Sequence, residues 1–331
     1  MSAFTFLVPA GVHDPRRPSG GNRYDVELAA SLSAAGWSGR LIEVAPGPGA
    51  LRAALIAAAP DRPVLLDGLL LEQPGAEGAL PHDHVVPLLH MPPRDGTVLE
   101  GLRHAPAVVT SSRWTASQVR ALLPPGTTVA VAPPGVRPTR LVSTSPSGRR
   151  IRCVAALQPH KGQDVLLVAL GGLRRQEWRC ELVGPGEPEF VQRLRALAGT
   201  SGIAGRVAIT GPRPGNPITG LYAGADVLVL PSRSESYGMV LAEALACGVP
   251  VIAADTGGVR EAVDPAATLL VRPGDPESLA AALRAWLLRA DLRHHLTAAA
   301  RDHAGRRRTW AATAETVADA LAATAVEKAI R

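Results

Sequence analysis

Short runs of aliphatic and β-branched residues alternate with longer amphipathic stretches along the whole chain, and this order restricts the fold more than any other feature. Such alternation is typical of parallel sheets whose strands are joined by helical crossovers. The strands predicted in the first half are FTFLV, RLIEV, PVLLD, HVVPLLH, AVVT and TVAVA. Those predicted in the second half are RCVAAL, CELVG, RVAIT, DVLVL and PVIAA. We therefore predict an α/β chain with two doubly wound units in tandem.

The length of 331 residues suits two domains of ordinary size. Residues 139–150 are rich in Ser, Thr and Pro and show neither helical nor strand periodicity, so we predict an interdomain linker there. The predicted domains are then 1–138 and 151–308. After Asp275 the pattern is helical to the end, and we predict that a helix over 309–331 packs back on the N-terminal domain.

The net charge of +6 does not indicate a nucleic-acid-binding surface. The basic excess is spread along the chain except at Arg306, Arg307 and Arg308. No aromatic residues alternate with those arginines to stack on bases. We interpret the run as an exposed helix face and predict no nucleic-acid partner.

The cysteines and the hydropathy pattern favour a cytoplasmic protein. Cys153, Cys180 and Cys247 each lie in an apolar segment, as core residues do in a reducing compartment. No apolar run reaches about 18 residues, and the first residues do not resemble a secretory leader. We expect at most a peripheral contact with a membrane.

Two glutamates in residues 227–258 give the most specific chemical signal. Glu235 lies before a predicted helix that begins near Gly238, and Glu243 lies inside that helix. The unpaired N–H groups and the dipole of a helix N-terminus favour a phosphate group. Two carboxylates that can bind hydroxyl groups therefore flank an anion site, which is the chemistry that a sugar nucleotide requires.

The segment ESYGMVLAE, from Glu235 to Glu243, resembles the E-x7-E signature of retaining family-4 glycosyltransferases with the GT-B fold. The similarity covers most of the chain and is strongest over 151–273. It implies two Rossmann-like domains that face each other across a cleft. It also implies that Glu235 contacts the transferred sugar and that Glu243 binds the ribose hydroxyls. The residues between them that are expected beside the donor are Ser236, Tyr237, Gly238, Met239 and Val240.

The segment LQPHKG resembles a second motif of that family, which usually has the form G-R-L-x-x-x-K-G. Lys161 and Gly162 match it, and the resemblance places Lys161 on the donor pyrophosphate. The family's arginine is absent, because Ala156 occupies its position. His160, Arg213 or Arg233 could each replace that cation, and the sequence does not choose among them.

Weaker similarities point to further residues. Gly20 and Gly21 follow the first strand as the family's glycine-rich loop does, and His90 ends a strand where the family often has a histidine beside the sugar. Gly184 and Arg213 follow two strands of the second half, in segments that the family places near the nucleotide. We predict that His90, Lys161 and Glu235 act in catalysis.

No metal or other cofactor is predicted. His82, Asp83 and His84 are neighbours in sequence, but they lack a partner cluster elsewhere in the chain. The family resemblance also implies that basic side chains and helix N-termini, rather than a metal ion, stabilise the leaving diphosphate.

The predicted function is transfer of a sugar from a nucleotide-diphosphate donor, with retention of configuration, to an acceptor. The near-neutral N-terminal half favours a small soluble acceptor. The donor nucleotide, its sugar and the acceptor cannot be identified from the sequence. A sugar-nucleotide epimerase, a glycogen-type phosphorylase and a dinucleotide-dependent dehydrogenase lack the groups or motifs that they need. A non-catalytic or hydrolytic sugar-nucleotide-binding protein stays open as an alternative because of Ala156.

Overall fold

The computed structural model describes residues 3–16, 18–58, 62–74, 76, 84–93, 96–213 and 218–330. The chain forms two units. Unit 1 comprises Met1–Asp14, Ser19–Gly135 and Arg308–Arg331, and unit 2 comprises Pro15–Pro18 and Val136–Arg307. None of the described helices is long and apolar enough to cross a bilayer.

The strands are short and are mostly buried on both faces, which explains why they are near-continuous apolar runs in the sequence. In chain order they are β1 (Ala3–Pro9), β2 (Ser38–Val44), β3 (Val64–Asp67), β4 (Val85–Leu89), β5 (Ala107–Thr110), β6 (Thr128–Val131), β7 (Arg150–Val154), β8 (Arg179–Val183), β9 (Val207–Gly211), β10 (Val227–Leu230), β11 (Val251–Ala254) and β12 (Thr268–Val271).

Helices connect the strands and cover the sheets. They are α1 (Gly20–Ala34), α2 (Ala50–Ala57), α3 (Gly96–Leu102), α4 (Arg113–Arg120), α5 (Gln163–Gly171), α6 (Pro188–Thr200), α7 (Ile218–Tyr222), α8 (Met239–Ala246), α9 (Val259–Ala262), α10 (Pro276–Leu288), α11 (Ala290–Ala304) and α12 (Trp310–Ile330). Several begin at a side-chain cap. Ser19 accepts from the N–H of Asn22 at α1, and Asp275 accepts from two N–H groups at α10.

Unit 1 has a parallel sheet with the strand order β2-β1-β3-β4-β5-β6. Its core includes Leu7, Leu66 and Val108. The C-terminal helix α12 belongs to this unit and packs against α1, β5 and β6. Thr313 of α12 donates to the carbonyl of Pro133 at 2.6 Å. The strand order reverses between β1 and β3, so the carboxyl ends of these two strands mark the place where doubly wound sheets bind ligands.

Unit 2 has a parallel sheet with the strand order β12-β11-β10-β7-β8-β9. Counted within the unit, this is the order of a Rossmann sheet, and it reverses between β7 and β10. The segment 139–150, predicted as a linker, is part of this unit. Its N–H group at Val142 donates to the carbonyl of Cys247, and the N–H group of Ser145 donates to Asp226. These bonds join the segment to the unit because its backbone donors find partners there.

Candidate functional site

The reversal of strand order in unit 2 brings together the loops that follow β7 and β10. A crossover leaves β7 toward β8 on one side, and another leaves β10 toward β11 on the other side. The space beyond the carboxyl ends of these two strands is therefore free of crossing chain. Lys161 lies in the first loop and Glu235 in the second.

Lys161 and Glu235 form an ion pair at this edge of the sheet. The Nζ atom of Lys161 lies 2.7 Å from Oε2 of Glu235, and the hydroxyl of Ser232 donates to the same oxygen at 3.3 Å. The two side chains are 21% and 12% exposed, so both are partly shielded from water and still accessible. A lysine ammonium has three N–H donors, so Lys161 can keep Glu235 and donate to a ligand as well.

Gly162 allows the two loops to pack closely. Its φ of 70° lies in the left-handed region. A Cβ atom at this position would lie 2.1 Å from the carbonyl oxygen of Pro231, the first residue after β10. Glycine is therefore required both by the conformation and by the space. The same loop is tied to the second one by the N–H of Arg233, which donates to the carbonyl of His160 at 2.7 Å.

The helix α8 begins directly after the loop that carries Glu235. Gly238 is its N-cap residue and provides no capping side chain, so the first-turn N–H groups of Met239 and Val240 have no side-chain cap in the described structure. The carbonyl of Glu235 accepts from the N–H of Gly258 at 3.0 Å, which fixes the loop from the other side. The segment from Ser236 to Val240 therefore lies at the same sheet edge as Lys161.

Glu243 is buried inside unit 2, with 2% of the residue exposed. Its Oε2 atom accepts a hydrogen bond from the hydroxyl of Tyr222, the last residue of α7, at 2.9 Å. The same hydroxyl lies 3.1 Å from the carbonyl oxygen of Val240. Glu243 is thus held in one orientation, while the more exposed Glu235 lies at the end of β10. The sequence pattern did not predict Tyr222 as its partner.

The two arginines proposed to replace the cation missing at Ala156 are both bound to carboxylates. Arg213 pairs with Glu181, which also binds Arg152 at 2.7 Å. Arg233 donates to both carboxylate oxygens of Asp164, at 2.9 and 2.7 Å. His160, the third proposed residue, is exposed. Gly184 follows β8, and its N–H donates to the carbonyl of Gly211 at 3.0 Å.

A second polar cluster lies in unit 1, at the carboxyl edge of its sheet. His90 follows β4, Asp67 ends β3, and Asp25 lies in the second turn of α1. The Nε2 atom of His90 lies 3.0 Å from Oδ1 of Asp25 and 3.8 Å from Oδ2 of Asp67. Both carboxylate side chains are fully buried, while that of His90 is 13% exposed.

The surroundings shift the pKa values of this cluster. Burial and the neighbouring charge of Asp25 raise the pKa of Asp67 to about 8. Burial alone would lower the pKa of His90. The charge of Asp25 and the hydrogen bond to it outweigh that effect, with a contribution from Asp67, and raise the pKa to about 9. Both effects of Asp25 thus favour the protonated form of His90.

The glycine-rich loop of unit 1 adjoins His90. A Cβ atom on Gly21 would lie 3.2 Å from Cδ2 of the His90 ring, so the first turn of α1, which Gly20 opens, passes close to the imidazole. Tyr24, one turn later, packs edge-on against the same ring with centroids 5.0 Å apart. Its hydroxyl donates to the carbonyl of Ala132 at 2.6 Å.

Asp25, Asp67 and His90 are the group of three potential metal ligands found among the described residues, with their ligating atoms within 4.8 Å of one another. His90 was predicted from the sequence, whereas neither aspartate was. A signal was present, because each is a charged residue in an apolar pattern, one at the end of PVLLD and one on the inner side of α1. His82 and Asp83 lie outside the described residues, and His84 immediately precedes β4.

One family model matches much of the second half of the chain. The family model for glycosyl transferases group 1 matches residues 144–303. This range lies within unit 2 and contains the Lys161–Glu235 pair together with Glu243.

Curated relatives match part of this chain. The D-inositol 3-phosphate glycosyltransferase of Geodermatophilus obscurus is 36% identical over 220 residues, which are 63% of this chain and 48% of the relative. The protein of the same name from Acidothermus cellulolyticus is 37% identical over 200 residues, which are 56% of this chain and 44% of the relative. The chain thus spans about half the length of the curated relatives it matches.

Solved structures match nearly the whole chain. Sucrose-phosphate synthase from Thermosynechococcus elongatus gives a TM-score of 0.80 at 21% identity, covering 96% of this chain and 98% of that one. Anabaena HepE in complex with UDP and glucose gives a TM-score of 0.76 at 20% identity, covering 97% and 100%. These likenesses show a two-domain α/β fold of the GT-B type. Within it, residues 144–303 match the family model for glycosyl transferases group 1.

Proposed function

We propose that this protein transfers a sugar from a nucleotide-diphosphate donor to a hydroxyl-bearing acceptor. The observation that carries the proposal is the ion pair of Lys161 and Glu235 at the strand-order reversal of a glycosyl transferases group 1 domain. A cation and a carboxylate side by side suit a ligand that combines phosphate and hydroxyl groups.

The donor would occupy the edge of unit 2. Lys161 and the N-terminus of α8 offer positive charge and N–H donors to the diphosphate. Glu235 would accept from a hydroxyl of the transferred sugar. Glu243 would accept from the ribose diol, for which a small movement of its enclosing residues is needed because it is buried in this structure.

We propose transfer with retention of configuration and without a metal ion. The acceptor hydroxyl would attack on the face from which the diphosphate leaves, and the leaving phosphate oxygen would take its proton. The chain then contributes position and electrostatic stabilisation, through Lys161 at the phosphate, Glu235 at the sugar and His90 as a donor to a sugar hydroxyl. No group of the chain needs to act as nucleophile.

The names of similar proteins suggest which ligands to test first. HepE has been solved with UDP-glucose, and the curated relatives are named for inositol 3-phosphate. A UDP-sugar is therefore the first donor to test, and a small polyol or its phosphate is the first acceptor class. A cytoplasmic location and the absence of a nucleic-acid partner complete the proposal.

A non-catalytic or hydrolytic sugar-nucleotide-binding protein is the second candidate. It is favoured by one observation: Arg213 and Arg233, which could supply the charge missing at Ala156, are each bound to a carboxylate. A weaker positive field at the diphosphate would slow its departure.

A thermal-shift screen of nucleoside diphosphates and their sugars tests binding, because a ligand that binds the native state raises the apparent stability. Hydrolysis of the donor without acceptor then tests catalysis. We expect a UDP-sugar to raise the melting temperature and to be hydrolysed slowly by the parent protein and not by Glu235→Gln. Donor binding with no turnover in either protein, with or without polyol acceptors, would support the binding protein instead.

A further inference from the structure

Asp25, Asp67 and His90 of unit 1 form a buried cluster with two carboxyl groups and one imidazole. The surroundings do not stabilise both carboxyl groups in the ionised form. Both carboxylate side chains are fully buried. Oδ2 of Asp25 and Oδ2 of Asp67 each lack a hydrogen-bond partner in the described structure. Two buried carboxylates that lie close together do not both ionise readily, because burial and mutual repulsion penalise the second charge.

The two acids are not equivalent. Asp25 lies at hydrogen-bond distance from Nε2 of His90, at 3.0 Å, whereas Asp67 is 3.8 Å away. The other carboxylate oxygen of Asp67 accepts from the backbone N–H of Leu69 at 2.8 Å. Asp25 is therefore the carboxyl group that contacts His90 directly, whereas Asp67 contacts a neutral backbone donor.

We propose that Asp67 carries a proton and that ionised Asp25 holds His90 as an imidazolium, so that His90 acts as a hydrogen-bond donor rather than as a base. One negative and one positive charge then make the buried cluster neutral. Asp25 is a positioning residue for His90. Asp67, because it is protonated, adds no second negative charge to the cluster. The role of His90 toward a sugar rests on the proposed function, but the protonation pattern does not.

The geometry explains what the imidazolium could bind. Both aspartates approach Nε2, and in an imidazolium the second ring nitrogen, Nδ1, also carries a hydrogen. His90 lines a small pocket with Gly68, Leu69 and Met91 at the carboxyl edge of the sheet. A group that accepts a hydrogen bond, such as a sugar hydroxyl or an anionic oxygen, fits a donor at this place.

Other groups face His90 from the surrounding elements. Tyr24 of α1 presents its ring, and Glu72 lines the adjoining pocket. The hydroxyl of Ser111, after β5, donates to the His90 backbone carbonyl at 3.1 Å. Of these, Glu72 has the carboxyl side chain, so Glu72→Gln serves as a control.

A matched pair of variants tests the inference. Asp67→Asn replaces a protonated acid by a neutral group of the same shape, whereas Asp25→Asn removes the charge that His90 needs. The ring Cε1–H signal of His90, identified by its loss in His90→Gln, is followed by NMR against pH. We expect its midpoint to stay near the parent value in Glu72→Gln and to fall only slightly in Asp67→Asn, because Asp67 raises the pKa of His90 less than Asp25 does. In Asp25→Asn it falls by about one pH unit or more, and in the double variant it falls furthest.

An infrared measurement on the parent protein provides a second test that does not need the Asp25 variant to fold. A protonated carboxylic acid has its own C=O stretching band, which we expect at neutral pH in the parent protein and not in Asp67→Asn. Turnover should follow the NMR result, so that Asp25→Asn loses about tenfold or more in kcat at pH 7, a larger loss than that of Asp67→Asn.

Several outcomes would overturn the inference. A parent midpoint below pH 7 would make His90 a neutral base. Equal midpoints in the two asparagine variants, or no infrared band that depends on Asp67, would show that the acids are equivalent. Stoichiometric binding of Mn²⁺ or Zn²⁺ that both variants abolish would make the cluster a metal site. None of these measurements requires a sugar donor, so their failure is distinct from failure of the proposed function.

Discussion

The Nζ atom of Lys161 lies 2.7 Å from Oε2 of Glu235, although 74 residues separate them in sequence. The pair exists because Lys161 follows β7 and Glu235 follows β10, the two strands between which the sheet order of unit 2 reverses. A cation for phosphate and an acceptor for sugar hydroxyls are thereby joined at one sheet edge. Variants of Lys161 and Glu235 separate the roles of the two side chains.

Replacing Lys161 by Ala should weaken binding of a nucleoside diphosphate by about 1.5–3 kcal/mol, the usual contribution of a hydrogen bond to a charged group. Calorimetry with UDP measures the effect. Arg289→Ala is a suitable control, because it also removes an ion-paired cation, but from the exposed junction of α10 and α11. Unchanged affinity in Lys161→Ala would remove Lys161 from the phosphate site.

Replacing Glu235 by Gln should leave the affinity for a free nucleoside diphosphate nearly unchanged, since that ligand carries no sugar. The glutamine can still accept from Lys161, so the loop should keep its structure. Turnover of the complete donor should fall by roughly a hundredfold or more, as is typical when one preorganised polar group is lost. Parent-like turnover would show that the carboxylate is structural.

Replacing Glu243 by Gln should weaken the free nucleoside diphosphate directly, because the ribose diol would lose a carboxylate acceptor. Tyr222→Phe separates this role from a purely structural one, because it leaves buried Oε2 of Glu243 without its 2.9 Å donor. We expect Tyr222→Phe to reduce the free energy of unfolding by about 1–3 kcal/mol and to weaken the nucleotide as well. A loss of stability with unchanged nucleotide affinity in both variants would contradict the ribose role.

Activity should survive an excess of EDTA, since Lys161 and the N-terminus of α8 offer the positive field that a metal ion would supply. The measurement compares turnover of a UDP-sugar before and after chelation, with added Mg²⁺ or Mn²⁺ as the reverse test. Loss of activity that either ion restores would count against a metal-independent mechanism, and would draw attention to Asp25, Asp67 and His90.

The free energy of unfolding should fall as the pH rises from about 6.5 to about 8. The pKa of His90 is raised from 6.5 to about 9, so the folded state keeps a proton that the unfolded state loses, and this stabilisation fades through pH 9. The pKa of Asp67 is raised from 3.8 to about 8, so it too binds its proton more tightly when folded. His90 and Asp67 therefore both make the free energy of unfolding decrease as the pH rises. Urea unfolding at several pH values should show that the free energy of unfolding depends less steeply on pH in Asp67→Asn than in the parent. An identical pH dependence would refute the Asp67 contribution.

Much of the fold could be predicted from periodicity, because strands buried on both faces are unbroken apolar runs. All eleven predicted strand segments overlap one of the strands β1 to β11. The strand β12, Thr268–Val271 at the edge of the second sheet, was missed. The short helix α9 was missed as well, since four residues do not establish a helical period.

The sequence by itself determined the α/β class and the residue types of the donor site, because a glutamate spacing and a Lys-Gly pair after a strand are local features. It could not decide which side chains meet across the fold. The pairing of Lys161 with Glu235 depends on strand order, and the enclosure of Glu243 by Tyr222 depends on the packing of α7 against α8. Above all, Asp25, Asp67 and His90 come from three separate segments of unit 1. The proton that we propose on Asp67 depends on two carboxyl groups being buried side by side. Only the tertiary structure creates that arrangement.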